Sequence, residues 1–437
     1  MRTPHLGSRH RGRSGATLVV SHGGLVRKEE AVMTVPATPL ADPAVLADPH
    51  PTLAALRERG PVQQVELRMG VPAWVVTRYE DVLTAFSDPR LSNDPHHSSA
   101  MTEVMRGDFL SRSMIGTDPP EHTRLRRLVS KAFTARRMEG LRPRIQEITD
   151  ALLDRITPRG SADLVGEFAL PLPVTVIGEL LGVPETDRNR FRTWTDEMLD
   201  RPFDVHSDMT RMTVAREQMH GYLAELVAAK RAHPADDLLS DLVEATDEGE
   251  RLDSHELLAM TFLLLIAGYV TTVSLIGNGT LALLRHPDEL DRLRADPALV
   301  PKAVEELLRF DGPVNPGITR YALEDLEIGG VRIPRGDMVL LAIAAADRDP
   351  DRFPAPDDLD VGSTDPGHLA FGHGVHYCLG APLARLEGQV AFAALLSRLP
   401  DLALATREDE LRWTGGGVLR GLRELPVTFT PTPARAG

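Results

Sequence analysis

The sequence predicts a mainly α fold with small β-sheets, and three observations carry that expectation. Helical patterns follow one another from about residue 115 to 310. One of them, Leu257 to Leu284, has no charged residue and suits a helix crossing a large core. Beyond Gly312 the periodicity changes, and LEDLEIGGVRIPRGDMVLLAI alternates as short strands do.

In chain order, Thr52 to Arg59 reads as a short helix. VQQVEL and AWVVT, joined through MGVP, read as a hairpin. Asp118-Pro-Pro-Glu121 is a helix start, with Asp118 as the expected N-cap and proline in the first turn. Further helices are expected at about 140–157, 171–182, 187–200, 208–232, 236–246, 254–284, 287–295 and 298–310. A turn is expected at Gly329-Gly330, and DRDPDRFPAPDDLDVGSTDPGH reads as a long ordered loop. A last helix is expected from near Cys378 to about Leu399, with Leu379, Leu383, Leu386, Val390 and Ala393 on one stripe. No internal repeat or flexible linker is visible, so residues 36–437 are expected to form a single domain.

Composition narrows the class. The chain has 437 residues, 42% hydrophobic and 26% charged, which excludes a disordered chain, a collagen and a disulfide scaffold. Its single cysteine, Cys378, allows no internal disulfide and no paired-cysteine metal site, and points to a reducing, cytoplasmic setting. A formal net charge of −14 speaks against nucleic acid as a partner. The stretch 257–284 is long enough to raise a membrane span, but GYVTTVS and GNGT in its middle favour a buried helix. The basic opening MRTPHLGSRHRGRSG is followed by an apolar run, Ala16 to Val20, too short for a secretory signal. Residues 1–35 are expected to be a disordered N-terminal extension, and Met33 is an alternative start.

The most informative segment is FGHGVHYCLGAPLAR, residues 371–385. Glycines 372, 374 and 380 surround Cys378 and permit tight turns and close approach to a flat ligand. A cysteine at a helix start is drawn toward the thiolate, hence toward a metal-ligand or nucleophile role. A lone buried cysteine is the bland alternative. The whole phrase decides: Phe371, Gly374, His376, Cys378 and Gly380 form FxxGxHxCxG, which resembles the heme-ligand loop of a cytochrome P-450.

The resemblance extends from about residue 40 to the C-terminus. It implies a triangular fold with heme b between the long central helix (about 254–284) and the cysteine-loop helix (about 378–399), and Cys378 as axial thiolate on the iron. Phe371, Gly372, Gly374 and Gly380 then border the cofactor. His122 and Arg126 of HTRLRR share a helix face and, with Arg320 and His376, match the family's heme-propionate contacts. Glu306 and Arg309 match the structural ExxR pair, which in the family locks to a downstream arginine, here Arg352.

Ala267-Gly268-Tyr269-Val270-Thr271-Thr272 matches the family's oxygen-side motif. The Ala267-Gly268 pair is expected to open a groove for oxygen, and Thr271, with Thr272 beside it, to pass protons. Val270 stands where the family has an acid, and an apolar side chain relays no proton. Thr271 has a structural alternative, a hydrogen bond to the carbonyl four residues back.

The resemblance therefore implies a heme-thiolate monooxygenase that uses O2 to hydroxylate or epoxidise a small hydrophobic secondary metabolite such as a polyketide, macrolide, peptide or terpene. No flavin, nicotinamide or iron–sulfur segment is visible, so electrons from NAD(P)H are expected through an external ferredoxin and ferredoxin reductase. Arg124, Arg127, Lys131, Arg136 and Arg137 form a candidate docking patch, and the chain is expected to act as a monomer away from the membrane. Substrate-facing stretches are expected at about 92–115, 170–210, 264–272, 314–319 and 415–419. Val270 motivates a second reading, a heme-thiolate enzyme with atypical chemistry such as a peroxygenase or a coupling or cyclising enzyme. A non-catalytic heme or ligand-binding protein and a heme-free hydrolase using Cys378 complete the alternatives.

Overall fold

The computed structural model describes residues 40, 42–67, 71–98, 109–199, 205–244, 246–247, 250–365, 367–415 and 418–434. Contacts separate Met1–Pro36 from Ala37–Gly437, and all that follows concerns the second unit. The expected extension, residues 1–35, lies outside the described residues.

The helix Ser254–Arg285 is the axis of this unit. The Asp253 carboxylate caps it by accepting from the N–H groups of His255 and Glu256, and Glu256 accepts in return from the Asp253 N–H. Its most apolar window is 67% buried inside the protein. Thr261, Thr271, Ser274 and Thr280 each donate to the carbonyl four residues earlier, so an apolar helix carries hydroxyls without orphaning them. Pro171–Leu180, Val300–Asp311 and Ala381–Arg398 all pack against it.

The other periodic stretches also form helices, including Arg142–Ile156, Arg188–Leu199, Val205–Ala232 and Pro287–Ala295. Two helix expectations need correction. Asp118 does not cap Glu121–Ser130 with its side chain; its carboxylate accepts instead from the Ser92 hydroxyl and from the Asn93 N–H at 2.9 Å. It thus ties a sheet edge to that helix. The last helix, Ala381–Arg398, begins three residues after Cys378, and Ala393 is exposed. This helix packs against four others, so its buried face is wide and runs through Leu386, Val390 and Ala394.

The hairpin forms as expected, with Val62–Glu66 antiparallel to Pro72–Val76. It belongs to a five-stranded sheet in which Pro72–Val76 pairs in parallel with Met338–Leu341. Met338–Leu341 then pairs antiparallel with Ile318–Ala322, and Leu91–Ser92 closes the edge. The strand Ile318–Ala322 was not expected: it is five residues long and follows a stretch rich in proline and glycine. Leu326–Ile328 and Val331–Ile333 form the small hairpin around Gly329-Gly330.

The loop after Ala346 is held by its own backbone. Arg309 and Glu306 form a buried two-bond pair, Nε to Oε2 and Nη2 to Oε1, each at 2.8 Å. The remaining Arg309 donors reach the carbonyls of Asp347, Pro356 and Asp358, and Glu306 accepts from the Asp360 N–H. The expected lock through Arg352 is therefore replaced. The pair is saturated by main-chain groups, and Arg352 turns to Asp365 at 2.5 and 2.7 Å and lies over Tyr79 and Phe353.

Candidate functional site

A cavity of about 380 Å³ lies among the long helix, the cysteine loop, the helix Glu121–Ser130 and the strand Ile318–Ala322. Cys378 lines one wall and Ala267, Gly268, Thr271 and Thr272 line another. The Cys378 N–H donates to the Phe371 carbonyl at 2.9 Å, which closes the loop. Gly372 and Gly374 hold φ of +69° and +72°, values that L side chains rarely adopt. Gly380 has an ordinary φ of −81° and sits directly before the helix.

Cys378 is exposed to the cavity. Burial among protein atoms pushes its thiol above the usual range. The Gly380 and Ala381 N–H groups and the Arg126 and Arg385 charges pull the other way without prevailing. The expected bias toward thiolate is thus outweighed in the protein alone, and a bound cation is what would complete it.

The rim carries the expected donors. The rings of His122 and His376 lie 4.0 Å apart, and neither His122 nitrogen has a hydrogen-bond partner. Arg126 Nη2 donates to the Tyr377 carbonyl at 2.7 Å. Arg320 is 3% exposed; one amino group donates to the Thr319 carbonyl and the other has no partner. Burial lowers all four groups, with Arg320 down to about 10 and His376, next to His122, Arg320 and Arg126, down to about 3. Such a cluster of basic groups, with His122 and an Arg320 amino group left unsatisfied, fits a ligand bearing carboxylates at this edge.

The opposite wall differs from expectation in detail. A Cβ on Gly268 would come within 2.7 Å of Ile177, so that glycine makes room for a side chain of the helix Pro171–Leu180 rather than leaving an empty groove. Thr271 Oγ donates to the Ala267 carbonyl at 3.2 Å while lining the cavity. Val270 packs against the main apolar core and does not line the cavity. Behind this wall lies a residue the sequence reading missed. Glu387 is 0% exposed, neither carboxyl oxygen has a hydrogen-bond partner, and burial raises it to about 8, with Thr272 opposing. Its position in the apolar stretch of its helix was the available signal.

Asn93, Met114, Ile115, Ile177, Leu263, Leu264, Val314, Ile318, Thr319, Ile343 and Val418 complete much of the lining, as most of the expected stretches foresaw. Residues 99–108, 200–204 and 416–417 of those stretches lie outside the described residues. The basic patch is less open than expected: Arg124 pairs with Glu121 and Glu256, and Arg137 with Asp241 at 3.2 Å.

Heme b fits this site on its donor set. One sulfur faces the cavity, and His122, Arg126, Arg320 and His376 line its edge, with His122 and one Arg320 amino group lacking partners. Among the described residues no three His, Cys, Asp or Glu side chains converge as a metal cage, so an iron on Sγ has to bring its other ligands with it.

Comparison with known proteins agrees. The family model described as Cytochrome P450 matches residues 47–403. The cytochrome P450 monooxygenase PikC of Streptomyces venezuelae is 49% identical over 387 residues, covering 88% of this chain and 91% of its own. The 6-deoxyerythronolide B hydroxylase of Saccharopolyspora erythraea is 45% identical over 391 residues, covering 87% and 96%. Among solved structures, the cytochrome P450 CxnD, for C–S bond formation in chuangxinmycin biosynthesis, superposes with a TM-score of 0.80 at 40% identity, covering 88% and 96%.

Proposed function

The chain belongs to the cytochrome P450 family, and from that premise we propose that it is a monooxygenase inserting one oxygen atom of O2 into a neutral hydrophobic secondary metabolite of polyketide or macrolide type. The observation that carries this is the pairing of Cys378 with Ala267 and Thr271 in one cavity rimmed by unsatisfied donors. The apolar lining suits binding by shape and burial.

In this reading Cys378 Sγ holds the heme iron, and His122, Arg126, Arg320 and His376 hold its propionates. When bound, heme supplies the redox chemistry that activates O2 with two electrons. Gly372, Gly374 and Phe371 shape the loop that would border the macrocycle, and the Cys378 N–H bond to Phe371 closes the loop that carries the sulfur. Leu263, Leu264, Ile177 and Ile343 exclude water around the substrate. Thr271 donates its hydroxyl hydrogen bond to the Ala267 carbonyl, which leaves its oxygen free to accept a hydrogen bond from the cavity. With Val270 packed against the core and off the cavity, Glu387 behind Thr272 is the acid that holds a proton near this wall. A cytoplasmic setting and electrons from NAD(P)H through a ferredoxin and its reductase complete the proposal.

The second reading, atypical heme-thiolate chemistry, is favoured by Val270 alone. Val270→Glu with unchanged NAD(P)H coupling and peroxide release removes that support. The primary test is a Soret spin-state titration of purified protein with macrolactones, aromatic polyketides, cyclic dipeptides, terpenes and fatty acids, together with a reduced-CO spectrum. A macrolactone or polyketide that drives the low-to-high-spin shift supports the reading. A CO adduct without the red-shifted thiolate band overturns it.

A further inference from the structure

The Cys378 loop is fastened on both flanks by an ion pair adjacent to, but separate from, Glu306–Arg309. Arg385, on the helix after the cysteine, donates to Glu305 through two parallel bonds, Nε to Oε1 at 2.7 Å and Nη2 to Oε2 at 2.8 Å. Two-bond pairs of this kind fix orientation as well as distance. The third nitrogen of Arg385 reaches Tyr377 Oη at 3.1 Å, one residue before Cys378. The guanidinium carbon stands 4.5 Å from the ring centre of Phe371, whose carbonyl receives the Cys378 N–H.

Glu305 also holds the far side of the loop. His368 Nε2 lies 3.1 Å from Glu305 Oε2, and His368 Nδ1 accepts from the Ala370 N–H at 3.2 Å. Since Nδ1 accepts, Nε2 carries the proton and donates to the carboxylate. One pair therefore touches the loop at His368, Phe371 and Tyr377. Arg385 is one of the charges that act on the sulfur, and Glu305 is the counter-charge bound directly to Arg385.

We propose that the Glu305–Arg385 pair is a positioning device that holds the loop carrying the Cys378 sulfur, through Phe371 and Tyr377, and sets the electrostatic potential at the iron, its two members acting with opposite signs. The proposal rests on Cys378 being the axial ligand. Removing a nearby cation disfavours gain of an electron, and removing a nearby anion favours it. A purely mechanical brace has no such antisymmetry.

The test uses heme-loaded, full-length protein and the variants Arg385→Gln, Glu305→Gln, Arg385→Lys and the double Glu305→Gln/Arg385→Gln. The readouts are the ferric/ferrous midpoint potential and the ratio of thiolate to thiol CO bands. R385Q is expected to shift the potential negative and E305Q positive, with the double variant between them. R385K keeps the parental side of the potential, because the charge stays, but raises the thiol fraction, because the fork to Glu305 and the Tyr377 contact are lost. If R385Q does not load heme, the positive shift of E305Q and the behaviour of R385K decide. Single variants that shift together, or potentials that do not move, overturn the proposal. A parent protein without the thiolate band overturns the ligand assignment itself, which separates the two failures.

Discussion

Thr272 acts against the burial of Glu387 across the contact between the long helix and the cysteine helix. The carboxyl is 0% exposed, and burial raises it to about 8 from an ordinary value of 4.5. Thr272 is the one group that opposes the rise, so the acid is uncharged at neutral pH and sits directly behind the wall that carries Thr271.

This relationship sets a pH dependence. Between about 4.5 and 8 the folded chain keeps a proton on Glu387 that the unfolded chain has lost. Stability therefore falls as pH rises through that window. Glu387→Gln, which cannot titrate, is expected to flatten the slope. Denaturant unfolding at pH 5 and pH 8.5 checks this: the parent should lose more stability than E387Q between the two values, and equal losses refute it.

Arg320 is a buried cation with an amino group left unpaired. Arg320→Leu is expected to reduce heme occupancy, because a propionate partner is gone. The same change should stabilise the heme-free chain by about 1–3 kcal/mol, because an uncompensated buried charge is removed. Melting temperature with and without heme, and the heme-to-protein ratio, measure both effects. A loss of stability in the heme-free chain counts against the role.

Glu306 and Arg352 should respond very differently. Glu306→Gln breaks a pair whose side chains are 3% and 6% exposed, and a cost of about 3–5 kcal/mol is expected. Arg352→Ala removes a bridge to Asp365 whose side chains are 29% and 44% exposed, and less than about 1 kcal/mol is expected. Comparable losses in urea unfolding would restore Arg352 to a central place.

Gly268 and Ile177 should be coupled. Gly268→Ala puts a methyl within 2.7 Å of Ile177 and is expected to cost about 1–3 kcal/mol. Ile177→Ala in the same chain should recover part of that cost, because the space is shared. A double-mutant cycle on melting temperature reads the coupling, and strictly additive losses would show that the helices separate instead.

The cysteine loop, the donors His122, Arg126, Arg320 and His376, and most helix positions were legible in the sequence. The helices depend on a period of 3.6, the loop on a motif of ten residues and His122 with Arg126 on a spacing of four, while Arg320 and the donors' shared role come from the resemblance to the family. The strand Ile318–Ala322, the bond from Asp118 to Ser92, the turn of Arg352 to Asp365 and the Glu305–Arg385 fork were not. Neither was the isolation of Glu387. These depend on which donor reaches a buried acceptor first once distant segments are packed. Glu306 illustrates the reason: its carboxylate accepts from Arg309 and from the Asp360 N–H of the following loop, while Arg352 meets Asp365. Local pattern decided which side chains are available at the site, and packing between distant segments decided which of them are satisfied and which remain open to a ligand.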